Sequence, residues 1–330
     1  MVGLLSILTG CVSLERCQFT RICMGVQCRL TIYSANAAAA EESAKAAFAR
    51  ISEIDAAVSD YRIDSDVARL AASAGTPDFV PISSDTQVVL ARSLELARNS
   101  GGAFDPTVGP LTKLWRQARQ DQAMPDKETL REAAARVDFH GVQVKAGHAQ
   151  LAHAGMSLDF GAIAKGYAAE EAVKVLRARG DSRCLVALSG DVFAGDAPPH
   201  SAGWRVAISS GQSRTDSPEA YVFLKNQGLS TSGDSEQFIE LGGTRYSHVI
   251  DPRAGWAMTA SRSVTVIGPQ GWMHDGLSTA LCVLDGPEAK ELVEKYPNCA
   301  AIVFERIDNK VQLRVLGNSH LLAKIQFNSE

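Results

Sequence analysis

The side chains best suited to chemistry fall in five short stretches that lie far apart along the chain. Ser157-Leu158-Asp159-Phe160-Gly161-Ala162-Ile163-Ala164-Lys165-Gly166-Tyr167 is a small-residue turn that runs into helical spacing at Ala168, Ala172, Val175 and Leu176. A helix start carries unpaired N–H groups and partial positive charge, so Gly161, Ala162 and Gly166 with Lys165 among them suit an anion such as a diphosphate. Neither the Walker phosphate loop nor the GxGxxG pattern is present, and the plainer alternative is close packing of small residues beside a solvated lysine. In Met273-His274-Asp275-Gly276-Leu277-Ser278-Thr279-Ala280, Asp275 and Thr279 stand at i and i+4. Both oxygens then leave one helix face and, with a backbone carbonyl as a third donor, could hold a hard cation such as Mg²⁺; alternatively Asp275 caps the helix and Thr279 faces the core. Ser247-His248-Val249-Ile250-Asp251-Pro252 places a histidine, which titrates near neutral pH, at the end of a short strand. Ala103-Phe104-Asp105-Pro106-Thr107-Val108-Gly109-Pro110-Leu111-Thr112-Lys113-Leu114-Trp115 reads as a rigid turn around one carboxylate and one aromatic residue. Tyr61, the aromatic residue of the polar loop Ser59 to Asp66, either stacks on a planar ligand or rests on its neighbours.

The elements that must carry these residues follow from periodicity. A strand is expected over Gln27 to Tyr33 and a helix over Ala37 to Val58, with Asp64 or Ser65 capping the next helix. Thr86 to Ser100 reads as a helix ended by Gly101-Gly102, Arg116 to Arg136 as a charged surface helix with a start signal at Pro125-Asp126, and Gly141 to Leu151 as a hairpin. Strands are expected at Cys184 to Leu188, Val192 to Ala194, Trp204 to Ile208, Ala220 to Leu224, Gly228 to Thr231 and Gln237 to Leu241, and the Asp275 stretch opens a helix that continues through Leu284. A β-rich portion thus follows an α-rich one, which predicts an α+β fold whose two parts share one core.

The chain has 330 residues, 45% hydrophobic and 21% charged, with a net charge of −4 and no basic block. That is the balance of an ordinary globular protein and argues against a nucleic-acid surface or charge-driven adhesion to lipid. Leu8-Thr9-Gly10-Cys11 resembles a bacterial lipobox. It predicts a lipid anchor at Cys11 and a place in the cell envelope, on the periplasmic side of the inner membrane. The short approach without Lys or Arg leaves a cytoplasmic location as the alternative. None of the seven cysteines shows CxxC spacing, so a structural zinc site is not expected, and Cys184 and Cys282 read as small core hydrophobes.

Taken in order, Met24-Gly25, Ser59-Asp60-Tyr61 with Asp64-Ser65, Gly102 to Gly109, Asp159 to Gly166, Ser189-Gly190-Asp191, Thr231-Ser232-Gly233-Asp234, Ser247 to Gly255 and Asp275 to Ala280 resemble the ApbE-type flavin transferases, FAD:protein FMN transferases. The resemblance covers Met24 to Val315. It implies mixed sheets with packed helices in a T-fold-like architecture of two intimately coupled subdomains, residues 1–23 being a signal or lipoprotein segment and 24–330 the flavin transferase domain. It also implies that FAD binds with Mg²⁺ and that its FMN half moves onto a threonine hydroxyl of a target protein through a phosphoester bond, with release of AMP. Carried over by motif, the flavin contacts are Met24, Tyr61, Ala103, Phe104, Asp105, Asp159, Lys165 and Val249, and the metal is held by the carbonyl of Ala162, the carboxylate of Asp275 and the hydroxyl of Thr279. His248 is the expected general base, with Asp251 a candidate to orient it. Val26, Asp191 and Ala254 depart from the family's usual Thr, Glu and Thr, and Ser189 stands ahead of Asp191 in place of a glycine. The acceptors the family suggests are sodium-pumping NADH:quinone reductases or Rnf-type complexes. Alternatives are an Mg²⁺-dependent FAD pyrophosphatase giving FMN and AMP, or a non-catalytic FAD-binding lipoprotein.

Overall fold

The computed structural model describes residues 13–210, 218–233, 238–308 and 310–327; Cys11 and Asp234 lie outside the described residues. Eight strands form one antiparallel sheet in which the spatial order equals the chain order: β1 (Glu15–Cys23), β2 (Val26–Ser34), β3 (Cys184–Leu188), β4 (Asp191–Ala194), β5 (Gly228–Gly233), β6 (Arg262–Gly268), β7 (Ala300–Ile307) and β8 (Lys310–Gly317). The helices are α1 (Ala37–Val58), α2 (Asp66–Ala72), α3 (Ser84–Asn99), α4 (Gly109–Asp121), α5 (Lys127–Ala134), α6 (Ala164–Ala178), α7 (Gly271–Val283) and α8 (Gly286–Glu294), followed by a short turn of helix at Ser319–Leu322.

Strand alternation divides the sheet's two faces. Val264, Val266, Ala301 and Val303 join the main core with α1, α6 and α7, whereas Ile267, Ile302, Phe304 and Leu229 meet a second sheet formed by Trp204–Ile208, Ala220–Leu224 and Ile325–Phe327. Sheets and packed helices are therefore combined in an α+β fold, as the residue pattern and the resemblance led us to expect, and the ladders of the named strands are antiparallel throughout. One core cluster draws on buried residues from Cys23 to Val303.

α1 forms where expected because Asn36 Oδ1 accepts from the backbone N–H of Ala38 (3.0 Å) and Ala39 (3.1 Å). It buries Ala40, Ala44, Ala47, Phe48, Ile51, Ile54 and Val58 at three- and four-residue spacing. α6 and α7 cross almost backbone to backbone. A Cβ on Gly166 would fall 2.1 Å from the Gly271 carbonyl oxygen, and one on Gly271 would fall 1.9 Å from that of Gly166. Gly166 is thus small because a second helix lies on it, the packing alternative of the sequence reading.

Four expectations change. The rigid turn expected up to Trp115 ends at Val108, because Gly109-Pro110 opens α4; proline is well placed in a first helical turn, where its missing N–H has no partner to lose. The helical stretch expected over Arg116 to Arg136 is two helices, broken where Gln122 takes a left-handed φ of 52° and resumed at the Asp126 cap, where the start signal was read. α7 begins at Gly271, so Asp275 lies inside the helix and is not its cap. The boundary at Met24 falls within the β1–β2 turn, and Glu15–Cys23 pairs along its whole length with β2; the sheet therefore starts upstream of that boundary.

Candidate active site

One end of the central sheet gathers the site. The β1–β2 turn (Met24-Gly25), the β3–β4 turn (Ser189-Gly190) and the last residues of β5 lie side by side there. They are joined by Ser189 N–H donating to the Gln27 carbonyl (3.1 Å) and Thr231 N–H to that of Gly190 (3.1 Å). Both turns have two residues, a length that favours positive φ. Met24 (φ 51°) and Ser189 (φ 54°) adopt it despite carrying side chains, a strain of order 1–3 kcal/mol each that persists where the surroundings fix the backbone.

A cleft of about 730 Å³ opens at this end. Met24, Tyr61, Ala103, Phe104, Asp105, Asp159, Ala162, Lys165, His248, Val249 and Thr279 all line it. Asp275 lies just beneath, 2% exposed. Asp60, Arg116, Asp191 and Ser232 also line the cleft, and residue patterns had not singled them out as site residues. Arg116 stands between Trp115 and Gln117 on a helix that reads as charged surface. Only its place one residue past the buried Trp115 hints that it reaches inward.

Three carboxylates serve the walls. Asp105 Oδ1 accepts from the Thr107 N–H (2.7 Å) and hydroxyl (2.6 Å), and its Oδ2 accepts from Phe139 N–H (3.2 Å); burial nevertheless pushes its carboxyl above the usual range. Asp159 Oδ1 accepts from Gly161 N–H (2.8 Å), closing a turn ahead of α6, and its Oδ2 from Arg116 Nη2 (2.7 Å). Asp60 pairs with Arg116 Nη1. The Arg116 guanidinium lies 4.6 Å from the Tyr61 ring centre, and the tyrosine is 76% exposed.

The polar floor comes from the helix crossing. With α6 and α7 in backbone contact, Asp275 Oδ2 accepts from Gly166 N–H at 2.9 Å, while the preceding Lys165 forms an ion pair with Asp191. Burial first, and then the neighbouring Asp191 carboxylate, push the Asp275 carboxyl well above its ordinary value. Ser232 Oγ lies 2.7 Å from Ser278 Oγ and 3.1 Å from Thr279 Oγ1. Asp275 thus meets the first turn of α6, and Thr279, four residues further along α7, lines the same cleft as Ala162. Among the described residues no three His, Cys, Asp or Glu side chains gather as a metal site; the acidic pair here is Asp191 with Asp275.

His248 is exposed at the cleft edge. Its neighbours are pinned: Ser247 N–H donates to the Met258 carbonyl (2.7 Å), Met258 N–H to that of Val249 (2.8 Å), and Val249 N–H to Ser247 Oγ (3.1 Å). Asp251 binds the Arg253 N–H (3.0 Å) and guanidinium (3.1 and 3.2 Å), so its carboxylate is engaged on Arg253. His274 is buried, with Nδ1 2.7 Å from Ser230 Oγ; burial pushes its pKa down to about 4, so the ring is neutral.

Residues 24–303 match the ApbE family. An FAD:protein FMN transferase of Treponema pallidum (strain Nichols) is 36% identical over 296 residues, covering 84% of this chain and 82% of that protein. The FAD:protein FMN transferase of Klebsiella pneumoniae (strain 342) is 32% identical, covering 82% and 79%. Among solved structures, the apo flavinyl transferase ApbE of Pseudomonas stutzeri superposes with a TM-score of 0.81 at 30% identity over 93% of this chain and 96% of that one.

Proposed function

This chain belongs to the ApbE family, and on that premise we propose that it transfers the FMN half of FAD to a threonine hydroxyl of a target protein, with AMP as the leaving group. The observation that carries the reading is the meeting, in one cleft, of an exposed aromatic ring (Tyr61), a helix start with Lys165, an acidic and hydroxyl floor (Asp275, Thr279) and an exposed histidine (His248).

Each group has a task fitted to its place. Tyr61 offers a flat apolar face to the isoalloxazine, with Phe104 and Val249 on the same lining. The diphosphate is drawn to the first turn of α6 by the partial positive charge of the helix start and by Lys165. Two buried carboxylates, Asp191 and Asp275, share the neighbourhood of one ammonium, Lys165. This leaves an excess of negative charge among oxygen donors that suits a hard divalent cation. Asp275, Thr279 and the Ala162 carbonyl would hold Mg²⁺, which when bound neutralises charge on the diphosphate as AMP departs. His248 takes the proton of the acceptor hydroxyl as oxygen attacks the FMN phosphorus and the bond to the AMP oxygen breaks. A protein acceptor needs that base near the surface, and His248 is exposed.

The same exposure supports a second reading: water in place of the threonine would give free FMN and AMP. Membrane redox complexes of the sodium-pumping NADH:quinone reductase or Rnf type as acceptors rest on the family resemblance alone, and an envelope location with a lipid at Cys11 on the lipobox-like tetrapeptide. Among the described residues no helix is long and apolar enough to cross a membrane. Incubation with FAD, Mg²⁺ and a threonine-bearing acceptor tests the proposal: covalent flavin on the acceptor supports it, and unchanged FAD refutes it.

A further inference from the structure

Arg116 projects from α4 into the cleft and touches both of its walls. One arm of the guanidinium pairs with Asp60, which precedes Tyr61 on the loop after α1; the other reaches Asp159 Oδ2 at 2.7 Å, on the turn ahead of α6. Its Cζ lies over the Tyr61 ring, 4.6 Å from the ring centre. Asp159 in turn accepts from Gly161 N–H at 2.8 Å, so one side chain links the aromatic wall to the loop that leads into the helix start. The geometry is specific to a fork: two carboxylates on separate nitrogens and a ring beneath Cζ cannot all be served by a point charge. Arg116 is only 23% exposed in its side chain. Without the cation, Asp60 and Asp159 would face each other as like charges, consistent with burial and the Asp159 charge both raising the Asp60 carboxyl.

From this arrangement we infer that Arg116 is a positioning residue for FAD: it sets the distance and angle between the flavin-stacking ring of Tyr61 and the diphosphate-binding loop at Gly161. The inference rests on the cleft being the FAD site. Because Arg116 does not touch the reacting atoms, its loss weakens FAD binding and leaves the chemical step intact once FAD saturates.

The test titrates the full chain with FAD, following the visible absorption of the flavin, and measures transfer rates on the same samples. For Arg116→Met the dissociation constant and KM for FAD rise by about tenfold, the scale of one charge-assisted and ring contact. The bound-flavin band moves back toward that of free FAD, and kcat stays within about twofold. Arg116→Lys, which keeps the charge without the fork, binds FAD several-fold more weakly than wild type and better than Arg116→Met. Binding by Arg116→Met within about twofold of wild type overturns the inference, as does a fall in kcat at unchanged KM, which is what a purely structural ion pair would give. Should the methionine variant fail to fold, the lysine variant decides, and wild-type affinity with lysine overturns the inference. Absence of FAD binding by the wild-type protein would instead sink the reading of the cleft itself.

Discussion

At the scale of single residues, the histidine at the cleft edge and the aspartate in its floor make opposite demands on the protein. His248 is exposed and its ring takes no part in the core, so His248→Ala is expected to bind FAD within about twofold of wild type. Covalent attachment should fall by about 100-fold or more, the usual worth of a general base. In-gel flavin fluorescence beside a binding titration checks both halves, and attachment at the wild-type rate removes the histidine from the mechanism. Asp275 is buried beside Asp191, and that juxtaposition opposes folding while it favours cation binding. Asp275→Asn should therefore melt at or above the wild-type temperature in chelator, because an amide relieves the repulsion and still accepts from Gly166 N–H. Added Mg²⁺ should raise the melting temperature of wild type and not of the variant. A variant that Mg²⁺ stabilises as much as wild type contradicts the assignment. The i, i+4 relation of Asp275 and Thr279 was legible in the chain because helical spacing fixes it. Arg116 and Asp191 were not, since their partners lie on elements distant in sequence and nothing local distinguishes an inward arginine from a solvated one.

At the scale of elements, the site depends on how closely α6 and α7 approach. Gly166→Ala would push a Cβ onto the Gly271 carbonyl, at 2.1 Å in the present geometry, and is expected to cost about 1–3 kcal/mol or more by overpacking. It should also displace Asp275 from the start of α6, so that stability in urea and Mg²⁺-dependent activity fall together; a variant with wild-type stability refutes the contact. A second joint ties α1, α3 and α6 through Asp85, which binds Arg50 Nη1 (2.7 Å) and Tyr167 Oη (2.7 Å). Burial works against the Asp85 anion, but Arg50 and Tyr167 outweigh it and the carboxyl is held below its ordinary value. A lowered folded value means that the stabilisation is complete above about pH 4 and fades as pH falls through the folded value. Asp85→Asn should thus be less stable than wild type at pH 7, by about 1–3 kcal/mol, with the gap closing below about pH 4. Urea midpoints at pH 7 and pH 3 check this, and a gap that does not depend on pH contradicts it. Helix starts were readable where a side chain caps them, at Ser65 and Asp126, and misread at Gly109-Pro110. The same pair of residues ends an element or begins one, and the choice rests on Gly109 packing against Ser157, far along the chain.

At the scale of the whole molecule, the eight-stranded sheet is an uninterrupted antiparallel meander in space, yet long helical insertions separate its strands in the chain. The α+β composition was therefore visible while the sheet order was not. Strands β6 and β7, buried on both faces, lack the polar alternation that marks a one-sided strand and so left little periodic signal. The site, by contrast, sits where three successive turns and strand ends of this sheet meet the start of α6 and the body of α7. Transfer of FMN from FAD onto a protein is the activity proposed for this junction. It is tested most directly by incubating wild type, His248→Ala and Asp275→Asn with FAD, Mg²⁺ and a threonine-bearing acceptor protein, then resolving acceptor, FMN and AMP. Flavin bonded to the acceptor with matching AMP is expected for wild type alone. Free FMN without labelled acceptor, or intact FAD in every sample, would contradict it.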